Sequence, residues 1–90
     1  MKYSWDRKKN EILISQGRPG FEQVVDAIKN SQIIDNVENS NTKHIGQYIF
    51  IVSINDYVCY VPYRIDDQET IFLITVIPSR KLQKKYRGKK

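Results

Sequence analysis

A change of hydrophobic period near residue 44 constrains the fold of this chain more than any other feature. From His44 to Ile77 the sequence is rich in Ile, Val, Tyr and Phe and is interrupted only by short polar breaks. Asn55-Asp56 is a two-residue hairpin signal, because both residue types tolerate the left-handed backbone a tight hairpin demands. Asp66 to Glu69 forms the second break. The pattern predicts three strands, His44–Ile54, Tyr57–Ile65 and Thr70–Ile77, joined as an antiparallel meander. Residues 48–54 are apolar at both parities, as in a strand covered on both faces. In the middle strand Tyr57, Cys59, Val61, Tyr63 and Ile65 share one face, and Val58, Tyr60, Pro62 and Arg64 the other. Pro62 has no N–H for the ladder, so a bulge or a neighbouring strand that ends there is expected.

The first half has helical spacing. Met1–Trp5 alternates well enough for a short strand. Asp6 can cap a helix over Arg7–Gln16 that ends at Gly17, a natural left-handed C′ residue. Arg18-Pro19-Gly20 breaks the chain. Phe21, Val24, Val25 and Ile28 then form the i, i+3, i+4, i+7 stripe of an amphipathic helix, with Glu22 and Asp26 toward its positive end. Gln32–Val37 reads as a short strand around Ile33 and Ile34, and Asn36–Lys43 as a loop. Pro78 stops the last strand, Ser79 can cap, and Arg80–Arg87 can close the chain as a helix. The order β-α-α-β-β-β-β-α predicts an α+β fold. Two N-terminal helices pack on an antiparallel meander sheet, and a basic C-terminal helix follows. Ninety residues fit one domain, residues 1–90, that buries roughly 65% of its unfolded surface.

Formal charge is +5, but its distribution says more. Arg80 to Lys90 hold seven basic side chains and no acid, whereas the first 79 residues, with eight basic and ten acidic, carry −2. A near-neutral body therefore carries a basic end that attracts phosphates over a Debye length, ~8 Å at physiological salt. Tyr86 and Arg80 within that end suit stacking on bases, which solubility alone does not require. No run reaches the ~18 apolar residues of a membrane span, and MKYSWDRKKN has no signal-peptide core, so a cytoplasmic location is expected. One cysteine and one histidine argue against an internal disulfide and a zinc site, and neither a metal nor a cofactor is expected.

Many enzyme classes drop out. The chain has no Gly-rich phosphate loop, GxSxG, HExxH or CxxC, and no acidic cluster with metal-ligand spacing. His44 is alone and follows a polar stretch, so a two-histidine ribonuclease is excluded. Cys59 in an apolar strand reads as a buried small hydrophobe, and Asp66 and Asp67 as turn residues. A cationic and phenolic set remains: Arg64, Arg80, Lys81 and Tyr86 as candidate catalytic residues, with Lys84, Lys85 and Arg87 as candidate nucleic-acid contacts. Metal-free RNA cleavage needs a base for the 2′-OH, positive charge on the pentavalent phosphorane and an acid for the leaving 5′-oxygen. Arginine supplies the charge through a planar fork of donors, and lysine or tyrosine can move a proton. Sheet twist or the closing helix would have to bring Arg64 and Arg80 together. The competing reading is a non-catalytic basic patch that grips nucleic acid or an acidic protein.

These residues also carry a family resemblance. Tyr3-x-Trp5-Asp6-x-x-Lys9-Asn10, then Gly17 and Phe21-Glu22-x-Val24-Val25, resemble the start of BrnT-type toxins. Gly46-Gln47-x-Ile49-Phe50, Ile77-Pro78-Ser79-Arg80-Lys81 and Tyr86 extend the likeness over nearly the whole chain. BrnT proteins belong to the RelE-like superfamily of small α+β ribonuclease toxins in type II toxin–antitoxin pairs. The resemblance implies a metal-independent endoribonuclease that cleaves mRNA, ribosome-bound or free, leaves 2′,3′-cyclic phosphates and arrests translation. It also implies a cognate antitoxin, often with a ribbon-helix-helix DNA-binding domain, through which the complex binds operator DNA. In RelE-like members strand-borne arginines or lysines act with a C-terminal tyrosine or histidine, and Arg64, Arg80 and Tyr86 stand at such positions. Two departures are visible. Ser15-Gln16-Gly17 stands where BrnT-like sequences often have Lys-His-Gly, and Leu82–Lys85 lacks the acid many members carry there.

Overall fold

The computed structural model describes residues 2–38 and 46–87. In chain order these form β1 (Tyr3–Trp5), α1 (Arg7–Ser15), α2 (Phe21–Lys29), β2 (Ile33–Glu38), β3 (Gln47–Ile54), β4 (Tyr57–Ile65), β5 (Ile71–Leu73), β6 (Ile77–Pro78) and α3 (Arg80–Arg87). The fold is α+β, as the sequence order predicts. The expected loop at Asn36–Lys43 begins later, since β2 runs to Glu38; residues 39–45, His44 among them, lie outside the described part.

The local signals act where the sequence places them. Asp6 caps α1, its Oδ1 accepting from the Lys8 N–H at 2.8 Å. Gly17 follows the helix with φ +75°, the left-handed conformation a side chain disfavours. Asn55 and Asp56 both have positive φ, 54° and 63°, so the β3–β4 hairpin is of the primed type that matches strand twist. Asp66 holds the next turn, its Oδ1 accepting from the N–H groups of Gln68 and Thr70 at 2.9 Å each. That turn accounts for Asp66 without any catalytic role.

Strand order is β1-β5-β4-β3-β2, with β6 also on β4. Two expectations are corrected here. The sheet is mixed, because β1 pairs with β5 in parallel, Tyr3 opposite Ile71 and Trp5 opposite Leu73. β1 takes the free edge beyond the meander, and both helices intervene before the chain returns, which allows a parallel pairing. The expected strand Thr70–Ile77 is two short strands: β5 pairs with Tyr63–Ile65 of β4, and β6 with Cys59 and Tyr60. The gap faces Pro62, whose missing N–H cannot serve a continuous ladder; its carbonyl accepts from the Ile74 N–H at 2.9 Å instead. A neighbour strand that ends at Pro62 was one of the two expected solutions.

Register divides the sheet into two faces. Phe50, Val52 and Ile54 of β3 stand opposite Val61, Cys59 and Tyr57 of β4. With Leu13 of α1 and Phe21, Val24 and Ala27 of α2, all of these but the exposed Tyr57 build one core that includes Leu73 and Val76. α1 and α2 thus cover this face. The join between them is specific: Gly20 caps α2 without a side chain, and Asn10 of α1 supplies the missing acceptor, its Oδ1 taking the Phe21 N–H at 2.7 Å. The opposite face carries Ile49, Ile51, Tyr60, Pro62 and Arg64, and α3 lies across part of it.

Candidate functional site: a groove beneath the basic helix

α3 is docked, not free. Ser79 caps it, its Oγ accepting from the Leu82 N–H at 3.2 Å and its own N–H donating to the Val58 carbonyl at 3.0 Å. One turn on, the Gln83 Oε1 accepts from the Val58 N–H at 2.9 Å. From this end of β4 the helix crosses β3 toward β2, where the Tyr86 hydroxyl donates to Asp35 Oδ2 at 3.4 Å. Asp35 is paired with Ile51, so both ends of α3 are tied to the sheet face turned away from α1 and α2. Arg80 and Lys81 lie in its first turn, where the helix dipole disfavours cations by roughly 0.3–1 kcal/mol. Charge set against local preference suits an anionic ligand.

Between α3 and the sheet runs a groove of about 520 Å³. Ile49, Ile51, Tyr60 and Leu82 supply apolar surface, and Lys81 and Lys85 stand at the rim. Lys85 also places its Nζ 5.3 Å from the centre of the Tyr86 ring. Further along the same face, cross-strand pairing sets Ser4, Phe72, Arg64 and Gln47 in one row. The Arg64 guanidinium lies over Phe72, 4.4 Å from the ring centre, so its plane is held while its donors stay open to solvent. Arg64 stands one pleat beyond Pro62, about 7 Å of strand.

The candidates are therefore gathered unevenly. Lys81 and Lys85 line the groove and Tyr86 lies beside Lys85 on α3, whereas Arg64 is on the same sheet face but outside the groove, four residues along β4 from Tyr60. Arg80 does not meet Arg64: the chain leaves the sheet beside Val58, six residues and about 20 Å of strand from Arg64. The two expected partners sit at opposite ends of β4 because β6 pairs with the first half of that strand and β5 with the second. Lys84 is exposed, and Arg87 closes α3.

Asp35 and the groove floor escaped the sequence reading. Asp35 lies in an ordinary short strand, and only the path of α3 brings Tyr86 to it; the isoleucines of β3 were legible as a strand covered on both faces, but not as a groove. Cys59 is buried, and burial pushes its thiol up to about 11, in keeping with a small hydrophobe. A second hollow, about 410 Å³, lies by the β3–β4 turn and is lined by Asp26, Asp56 and amide side chains, the wrong sign for phosphate. Among the described residues no group of three His, Cys, Asp or Glu could hold a metal ion, and no helix is long and apolar enough to cross a membrane.

The groove and its lysines define a class no finer than an α+β domain with a cationic cleft on one sheet face. No family model matches the chain, and neither a curated protein nor a solved structure is significantly similar to it.

Proposed function

We propose that this protein is a metal-independent endoribonuclease of the toxin type, acting on mRNA in the cytoplasm and inhibiting translation. One observation carries the reading: the docked basic helix sets Lys81 and Lys85 at the rim of a groove with Tyr86 beside Lys85, on the sheet face that also exposes a stacked arginine, Arg64. That set supplies the three needs of metal-free cleavage. Arg64 neutralises the phosphorane, and Tyr86 and a lysine move the protons. Arg80, Lys84 and Arg87 hold neighbouring phosphates of the same strand. The resemblance of the sequence motifs to BrnT-type and RelE-like toxins fits this assignment. A small acidic antitoxin with its own DNA-binding domain would occupy the same groove and block it.

Induced expression of the wild type and of Arg64→Ala and Tyr86→Phe variants tests the proposal. The wild type arrests growth and both variants relieve the arrest. Purified protein with EDTA yields 2′,3′-cyclic phosphate ends. Equal growth of all three cultures, or strict magnesium dependence, refutes the reading. The aliphatic floor favours one other reading, a non-catalytic module that binds a protein partner or nucleic acid; it predicts salt-sensitive binding with intact RNA.

A further inference from the structure

Cleavage as proposed needs one group to take the 2′-hydroxyl proton and another to give one to the leaving oxygen. The Asp35–Tyr86 contact divides these tasks. Asp35 stands opposite Ile51 on β2, and its carboxylate receives the hydrogen bond of a hydroxyl 51 residues away in sequence. A carboxylate accepts and a phenol does both, so the Tyr86 proton points at Asp35 and the lone pairs of its oxygen remain for other partners. Lys81 and Lys85, at the groove rim, are donors only.

We infer that Asp35 is a positioning residue acting through Tyr86, which sets Tyr86 on the side of the attacking 2′-hydroxyl and the lysines of α3 on the side of the leaving group. The inference rests on the ribonuclease reading and goes beyond it by assigning the two proton transfers. In the step, the 2′-hydroxyl proton passes to the Tyr86 oxygen while Tyr86 passes its own proton to Asp35 Oδ2. The freed electron pair on O2′ forms the bond to phosphorus. The bond from phosphorus to O5′ breaks, and O5′ leaves with its electron pair and takes a proton from a lysine ammonium. Products are a 2′,3′-cyclic phosphate and a 5′-hydroxyl, with Asp35 protonated and the lysine neutral until water restores both.

The test uses the full chain and two RNA substrates, one ordinary and one with sulfur in place of the bridging 5′-oxygen at the cleavage point. Sulfur leaves without a proton. Asp35→Asn keeps the shape and an acceptor oxygen but cannot take the proton. Its kcat on ordinary RNA is expected to fall at least ~10²-fold, the usual contribution of such a group, with KM unchanged. Asp35→Glu restores part of the rate. The sulfur substrate restores the double variant Lys81→Ala/Lys85→Ala but not Asp35→Asn. Wild-type kcat in Asp35→Asn, or its rescue by sulfur, overturns the inference. If Asp35→Asn does not fold by circular dichroism, Tyr86→Phe takes its place in both arms under the same criteria. A wild-type protein inert toward both substrates overturns the ribonuclease reading itself, and the inference with it.

Discussion

Replacing Asn10 by alanine removes a cap that one helix supplies to another. The α2 N-terminus has orphan N–H groups like any helix, and Gly20 offers no side-chain acceptor. Asn10 Oδ1, 2.7 Å from the buried Phe21 N–H, takes that role, and its Nδ2 donates to Glu22 Oε1 at 3.0 Å. Loss of a side-chain cap costs about 1 kcal/mol. Here the stranded N–H is also buried, and an unsatisfied buried donor costs about 1–3 kcal/mol. Both describe one lost bond, so they are not added; with the small void the expected total is about 2–3 kcal/mol. In a domain this size that lowers Tm by about 10–20 °C and the urea midpoint by about 1–2 M. Urea titration followed by circular dichroism measures it. Asn10→Asp is expected to recover only part, because it loses the donor and sets a carboxylate against Glu22. A Cβ at Gly20 would lie 3.0 Å from Asn10 Oδ1 and 3.1 Å from Ile14 Cδ1, so Gly20→Ser destabilises the wild type, and Asn10→Ala relieves only the first of these contacts. Stability of Asn10→Ala within about 0.5 kcal/mol of wild type, inside ordinary surface scatter, would refute the inter-helix cap.

Other outcomes follow from the same geometry. Cys59 should resist alkylation at pH 8 in the folded protein and react on unfolding; full labelling of native protein contradicts its burial. Because burial raises its folded value from 9.0 to about 11, its contribution to stability is complete below pH 9 and lost as pH rises toward 11. Urea titrations across that window should show a decline that Cys59→Val reduces. The double variant Lys81→Ala/Lys85→Ala should bind single-stranded RNA with a salt slope smaller by about 1.4 if both lysines meet phosphates; an unchanged slope removes them from the interface. Arg80→Ala should raise KM for RNA and leave kcat nearly intact, since Arg80 stands far from Arg64; an equal loss in kcat and in kcat/KM would bring it into the reaction.

Much of the scaffold is legible from local chemistry. Asp6, Gly17, Asn55-Asp56 and Asp66 each act through a few neighbouring residues, so their positions name the helix ends and turns directly. Pro62 likewise announces an interrupted ladder, because a missing N–H is a property of the residue itself. The parallel pairing of β1 with β5 was not legible: three residues between polar neighbours hold no record of which edge they join. The site shows the same division. Arg64 and Tyr86 are visible as residue types, whereas the Phe72 stack beneath one and the Asp35 acceptor beside the other depend on strand register and helix path.

The sequence by itself determined the α+β class, the helix and turn boundaries, and a C-terminal helix bearing only positive charge, since each follows from short-range spacing and backbone preference. Tertiary structure decided that this helix lies across the sheet face opposite the other two, that Tyr86 reaches Asp35, and that Arg80 and Arg64 stand apart. Those relations arise from cross-strand register and from where β6 joins β4, and contacts between residues tens of positions apart leave no periodic trace in the chain.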